Sequence, residues 1–129
     1  MSEHSLRTAL GRVSGLGSAK DGTEHWWHQR VSAVALLPLA LWFALSVASL
    51  VGAEQAQVKA WLASPLVAVL LLLFLAIAFY HLKLGLQVVI EDYVRAPAAK
   101  VALLLLNTFA SVGVALAAAL AVLSLHFRG

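Results

Sequence analysis

The sequence predicts an all-α integral membrane protein: three transmembrane helices preceded by a polar N-terminal segment. Apolar residues make up 62% of the chain and charged residues only 12%, and the mean hydropathy is +0.91, far from the balance of a soluble domain. The apolar residues gather into three stretches, about 31–52, 65–90 and 101–125, each at or above the ~20 residues a helix needs to cross the hydrocarbon layer. Residues 1–30 therefore read as a polar N-terminal segment and 31–129 as a three-helix anchor domain.

Taken in order, Leu16–Thr23 is rich in turn-forming and polar residues and reads as an extended lead-in. The run Glu24-His25-Trp26-Trp27-His28-Gln29-Arg30 follows. Its paired indoles suit headgroup depth, and Arg30 can snorkel to the same interface or bind an anionic group held there. In the first span Pro38 removes a backbone donor and predicts a kink near Val34. Residues 53–63 form a short connector. Ser64-Pro65 then makes a good helix start, with Ser64 at the N-cap and Pro65 at the first helical position. No breaker follows until Pro97, so the second helix runs about thirty residues, ~45 Å, and projects beyond the lipid. In the third span Gly113, Ala117 and Ala121 recur every fourth residue, a spacing that lets helix backbones approach closely in lipid.

Orientation follows from the cations. Arg7, Arg12, Lys20 and Arg30 precede the first span, and Lys59 alone lies between the first two. Arg95 and Lys100 lie between the second and third, and Arg128 follows the last. The positive-inside rule places the N-terminus and the second loop on the cytoplasmic side, or its mitochondrial equivalent. No cleavable signal peptide or transit peptide is expected, because the first apolar run begins only at Val31, after a segment that contains acidic residues. The chain has no cysteine, which removes disulfides and the thiolates of an iron–sulfur cluster. It carries no GxGxxG, P-loop or HExxH, and its net charge of +3 sits mostly in ends and loops, so nucleic acid is not an expected partner.

Chemistry concentrates at the end of the second span, His81-Leu-Lys-Leu-Gly85-Leu-Gln-Val-Val-Ile-Glu91-Asp92-Tyr93-Val94. At 100° per residue, His81 and Asp92 lie on one helix face about 16 Å apart along the axis. Gly85 is one turn after His81 and about 40° round, so its missing side chain leaves a flat recess beside the imidazole. Lys83 points to the opposite side. Depth estimates from either end of the helix place His81 in the inner half of the membrane and Asp92 at or just past its boundary. An imidazole at that depth has two uses: an interhelical hydrogen bond, or axial ligation of haem iron, which needs a neutral ring nitrogen and room for the macrocycle. No other histidine falls in a predicted span, so a bis-histidine haem needs its second ligand from another subunit. Asp92 and Tyr93 are open in the same way. A phenol backed by a carboxylate at the boundary can protonate a quinone carbonyl, while a plain helix end entering water presents the same residues.

The run His81 to Val94, with Gly85 four residues after the histidine and Asp92-Tyr93-Val94 beginning eleven after it, resembles the second helix of the smaller membrane-anchor subunits of succinate dehydrogenase, respiratory complex II. Residues 18–36 are similar to that family's entry into its first helix. With three spans and an inside N-terminus, the resemblance covers nearly the whole chain. The third helix matches in character only. The resemblance implies that His81 is an axial ligand of a haem b shared with the larger cytochrome b anchor subunit, with Gly85 as its recess. It further implies that Tyr93 hydrogen-bonds ubiquinone with support from Asp92, and that Arg30 lies near a haem propionate or the quinone pocket. His25 and His28 have no counterpart in it.

On that resemblance the expected function is a non-autonomous subunit of succinate:ubiquinone oxidoreductase, anchoring the flavoprotein and iron–sulfur subunits in the bacterial inner membrane or its mitochondrial counterpart. Dehydrogenation is not expected on this chain, which has neither a flavin-binding fold nor cysteine ligands. Two alternatives remain: a fumarate reductase anchor running the couple in reverse, and a non-redox scaffold in which His81 is only a hydrogen bonder.

Overall fold

The computed structural model describes residues 19–128, and the polar segment before Ala19, with Arg7 and Arg12, lies outside them. The described chain is helical from end to end: α1 (Ala19–Ser49), α2 (Gln55–Ala63), α3 (Pro65–Tyr93) and α4 (Pro97–Arg128). Three of these, over Gly22–Ser49, Pro65–Tyr93 and Pro97–Arg128, are long and apolar enough to cross a membrane. The expected all-α, three-span architecture is the one observed.

Several local expectations change. Residues 19–23, read as a loose lead-in, form the first turn of α1. Once a helix is nucleated, each further residue adds a hydrogen bond at little cost, so the apolar body of α1 carries its weak formers Gly22 and Thr23 with it. The helix is continuous through Pro38. The connector is itself helical: Ala, Gln, Lys and Leu dominate Gln55–Ala63, and the Gln57 side chain accepts a hydrogen bond from Glu54 N–H at 2.9 Å, satisfying a donor at the helix start. Gly52, at φ +79°, makes the left-handed bend before it. Pro65 opens α3 as expected, but the Ser64 hydroxyl makes no cap bond. Ser64 is the N-cap of α3 as expected, its carbonyl accepting from Ala68 N–H at 3.0 Å, and it also closes α2, its own N–H donating to the Trp61 carbonyl at 3.2 Å.

The central element is α3, with α1 packed on one side and α4 on the other. Cross-contacts run in opposite directions along the sequence. His28 meets Tyr80 and Phe43 meets Phe74 (ring centroids 4.8 Å), so α1 and α3 are antiparallel. At the far end α2 is tied to α1 by the stacked Trp42 and Trp61 rings (6.2 Å), and to α4 by His126 Nδ1 donating to the Leu62 carbonyl at 3.1 Å.

Burial is inverted relative to a soluble protein. Among the described residues only Ala68, Leu71 and Leu84 are buried hydrophobics, while Ser32, Asn107 and Ser111 are buried polar residues. Large apolar side chains such as Leu37 and Leu45 stand outward. In lipid the outer surface needs no covering, whereas a polar group needs an internal partner, so the interior goes to the groups that can bond across helices. The α3–α4 seam shows this: Asn107 Nδ2 donates to the Lys83 carbonyl at 2.9 Å, and Ser111 Oγ lies 3.4 Å from Asn107 Oδ1. Gly113, Ala117 and Ala121, expected to pack against a neighbouring helix, are exposed, and a Cβ at Gly113 would meet nothing within 4 Å.

Candidate functional site

The site forms where the start of α1 crosses the last turns of α3. On α1, His25, Gln29 and Ser32 follow one another at four- and three-residue spacing and so share a face. That face meets His81 of α3. The Ser32 hydroxyl lies 3.0 Å from the Gln29 carbonyl and 2.9 Å from His81 Nδ1, and Gln29 Nε2 lies 3.5 Å from His81 Nε2, the outer limit of a hydrogen bond. His81 is half-buried and Ser32 buried. One residue before His81, the Tyr80 hydroxyl bonds His28 Nδ1, and Glu24 stands 3.9 Å from the other nitrogen of His28.

Gly85 lies beside this group, as the helix arithmetic requires. Its recess is filled by the Gln29 amide: a Cβ placed on Gly85 would sit 3.7 Å from Gln29 Nε2. The other end of that amide is unsatisfied, since Gln29 Oε1 is buried without a hydrogen-bond partner, as is His25 Nε2. A buried amide oxygen left unpaired costs about 1–3 kcal/mol, so Gln29 is held weakly where it lies. An imidazole nitrogen facing a glycine-floored recess, covered by a side chain with little to lose by leaving, fits an axial haem ligand. A single histidine does not make a closed metal site, and no group of three or more His, Cys, Asp or Glu residues occurs among the described residues.

The other expected site residues are not joined to His81. Arg30 is exposed and stacked over the Trp26 ring, 5.4 Å from its centroid. Asp92 and Tyr93 close α3, both exposed, Tyr93 at 81%. Twelve residues of helix put Tyr93 ~18 Å along the axis from His81. Lys83 faces away from His81, lining an apolar groove of about 320 Å³ between α3 and α4.

Beginning the first span at Val31 left His28 and Gln29 outside it, while Ser32 and Tyr80 fell inside predicted spans and were missed because nothing along one helix shows what they meet on another. The candidate span starts at Gly22, which brings His25 and His28 into it and corrects the expectation that His81 is alone among the spans. The signal was available: His25, Gln29 and Ser32 form a polar stripe at helical spacing leading into an apolar run, as Asn107 and Ser111 do on α4.

These features define a multi-pass membrane protein, helical over the described residues, with a polar cluster between α1 and α3 built around a half-buried histidine. Residues 4–126 match the family model described as the succinate dehydrogenase/fumarate reductase transmembrane subunit, and the chain belongs to that family. It is 37% identical over 92 residues to the succinate dehydrogenase hydrophobic membrane anchor subunit of Paracoccus denitrificans, covering 71% of each chain. It is 32% identical to the subunit of the same name from Rickettsia bellii (strain RML369-C), over 70% of this chain and 73% of the relative. With the succinate dehydrogenase membrane anchor subunit of Reclinomonas americana it shares 29% identity over 59% of this chain and 66% of the relative. No solved structure matches the chain.

Proposed function

We propose that this chain is the smaller membrane-anchor subunit of a succinate:ubiquinone oxidoreductase in a bacterial inner membrane, with its N-terminus on the cytoplasmic side. It holds the flavoprotein and iron–sulfur subunits at the membrane and pairs with a cytochrome b anchor subunit. Family membership, the relatives' names and the three apolar helices support the anchoring role. Succinate oxidation belongs to the partner subunits, because this chain has no cysteine for a cluster.

Within that role, His81 would hold the iron of a haem b shared with the partner anchor subunit. Haem b, when bound, supplies a one-electron store between the iron–sulfur subunit and the quinone. Gly85 keeps the adjoining helix surface flat, and Gln29 vacates the recess. The Arg30 guanidinium, at the start of the same helix as Ser32, neutralises a propionate or contacts the quinone pocket. Tyr93 and Asp92 stand at the opposite end of this stretch of α3, where a quinone headgroup meets water: the phenol donates to a carbonyl oxygen and the carboxylate holds the proton supply beside it.

The observation that carries the haem reading is the His81 ring itself, with one nitrogen bonded to Ser32 and the other 3.5 Å from the Gln29 amide that covers Gly85. His81→Ala in the purified complex tests it. The haem-to-flavin ratio and the low-spin b-type absorption should both fall, and an unchanged bis-histidine spectrum would remove His81 from the role.

A further inference from the structure

Ser32 has one proton and two acceptor lone pairs. Its Oγ lies 3.0 Å from the Gln29 carbonyl oxygen and donates its proton there, the local back-bond that a helical serine makes to the preceding turn. Toward His81 Nδ1, 2.9 Å away, the same oxygen can then only accept, and Nδ1 must carry a hydrogen. In a neutral imidazole this leaves the lone pair on Nε2. The second neighbour of the ring agrees: the group 3.5 Å from Nε2 is the Gln29 amide nitrogen, which donates and cannot accept. Burial of Ser32, at 6% exposure, keeps water from replacing its hydroxyl at Nδ1.

We propose that Ser32 is a positioning residue that locks His81 in the Nδ1–H tautomer and one ring orientation, so that the Nε2 lone pair is aimed into the Gly85 recess as an iron ligand. This deepens the haem reading and rests on it. The arrangement uses a neighbour on a different helix, so it also makes the ligand's geometry depend on the α1–α3 crossing. A hydroxyl at position 32 that merely filled space would be replaceable by a methyl. One that sets the tautomer is not, because the ring then loses its only acceptor at Nδ1 and both nitrogens compete for the proton.

The experiment uses the assembled complex with ¹⁵N-histidine labelling, prepared from haem-deficient cells and in haem-loaded form, as wild type, Ser32→Ala, Ser32→Thr and His81→Ala. In the haem-free complex the resonances lost in His81→Ala identify the ring. They should show a protonated Nδ1 and an unprotonated Nε2 in wild type, a mixture of tautomers in Ser32→Ala, and the wild-type pattern again in Ser32→Thr. In the loaded complex Ser32→Ala should weaken haem retention roughly 10–100-fold, as loss of a ligand's outer partner does. It should also raise the haem midpoint potential, because an imidazole without an acceptor at Nδ1 gives less electron density to ferric iron, and Ser32→Thr should restore both. A proton found on Nε2 in the haem-free wild type, or a Ser32→Ala complex matching wild type in nitrogen shifts, retention and potential, overturns the proposal. An unchanged haem spectrum in His81→Ala overturns the haem reading, and with it the iron that Nε2 is aimed at, whereas the haem-free nitrogen shifts still decide whether Ser32 sets the tautomer.

Discussion

Gly85→Ala is expected to move stability and haem occupancy in opposite directions. The new methyl would lie 3.7 Å from Gln29 Nε2, an ordinary van der Waals contact, with nothing else within 4 Å, so the haem-free fold has room for it. Glycine inside a helix costs about 0.5–1 kcal/mol relative to alanine, through the backbone freedom it loses on folding. The haem-free complex should therefore gain about that much stability. With a macrocycle against the same helix face the methyl stands in the recess, and haem occupancy should drop. Leucine at this position must push the Gln29 side chain aside as well, so Gly85→Leu should lower both quantities. Haem-to-flavin ratios measure occupancy, and chemical or thermal unfolding of complex from haem-deficient cells measures stability. Full haem occupancy in both variants would refute the idea that the recess receives the macrocycle, and a haem-free Gly85→Ala complex less stable than wild type would refute the spacing argument.

Tyr93→Phe should leave folding untouched, because Tyr93 is 81% exposed. It should slow quinone reduction about five- to over a hundredfold, the worth of a ~1–3 kcal/mol hydrogen bond acting in the transition state, while succinate oxidation with a soluble artificial acceptor is preserved. Asp92→Asn should act in the same direction and more mildly, since water can replace the carboxylate; wild-type quinone rates in both variants would move the quinone site elsewhere. Asn107→Ala removes the bond to the Lys83 carbonyl and should cost about 0.6–1.7 kcal/mol, the range for interhelical hydrogen bonds in membranes, read from unfolding of the complex in detergent. This bond joins α3 to α4, whereas the His81 cluster joins α3 to α1, so no loss of haem should accompany it. Reporter fusions at the two ends should place the N-terminus inside and the C-terminus outside; both ends on one side would contradict three spans.

The number and approximate length of the spanning helices were legible in this sequence, though the short helix Gln55–Ala63 was not, because they depend on local quantities: hydropathy over about twenty residues, a proline at Pro65 and Pro97, and charge on either side of each run. The nearness of Gly85 to His81 was legible for the same reason, as a rotation along one helix. Helix starts were less so. A polar stripe such as His25-Gln29-Ser32 looks like an interfacial segment until a second helix is laid against it. Which groups meet across helices was decided only by the tertiary structure. Ser32 and Gln29 find His81, and Asn107 finds Lys83, through the crossing of α1 and α4 over α3, which a periodicity cannot encode. The small-residue row of α4 shows the limit from the other side: Gly113, Ala117 and Ala121 permit close packing, yet the exposed row takes no part in the α3–α4 seam. In lipid, apolar burial does little to choose a helix face, so the interior hydrogen bonds choose it, and their partners lie 24 to 52 residues away along the chain.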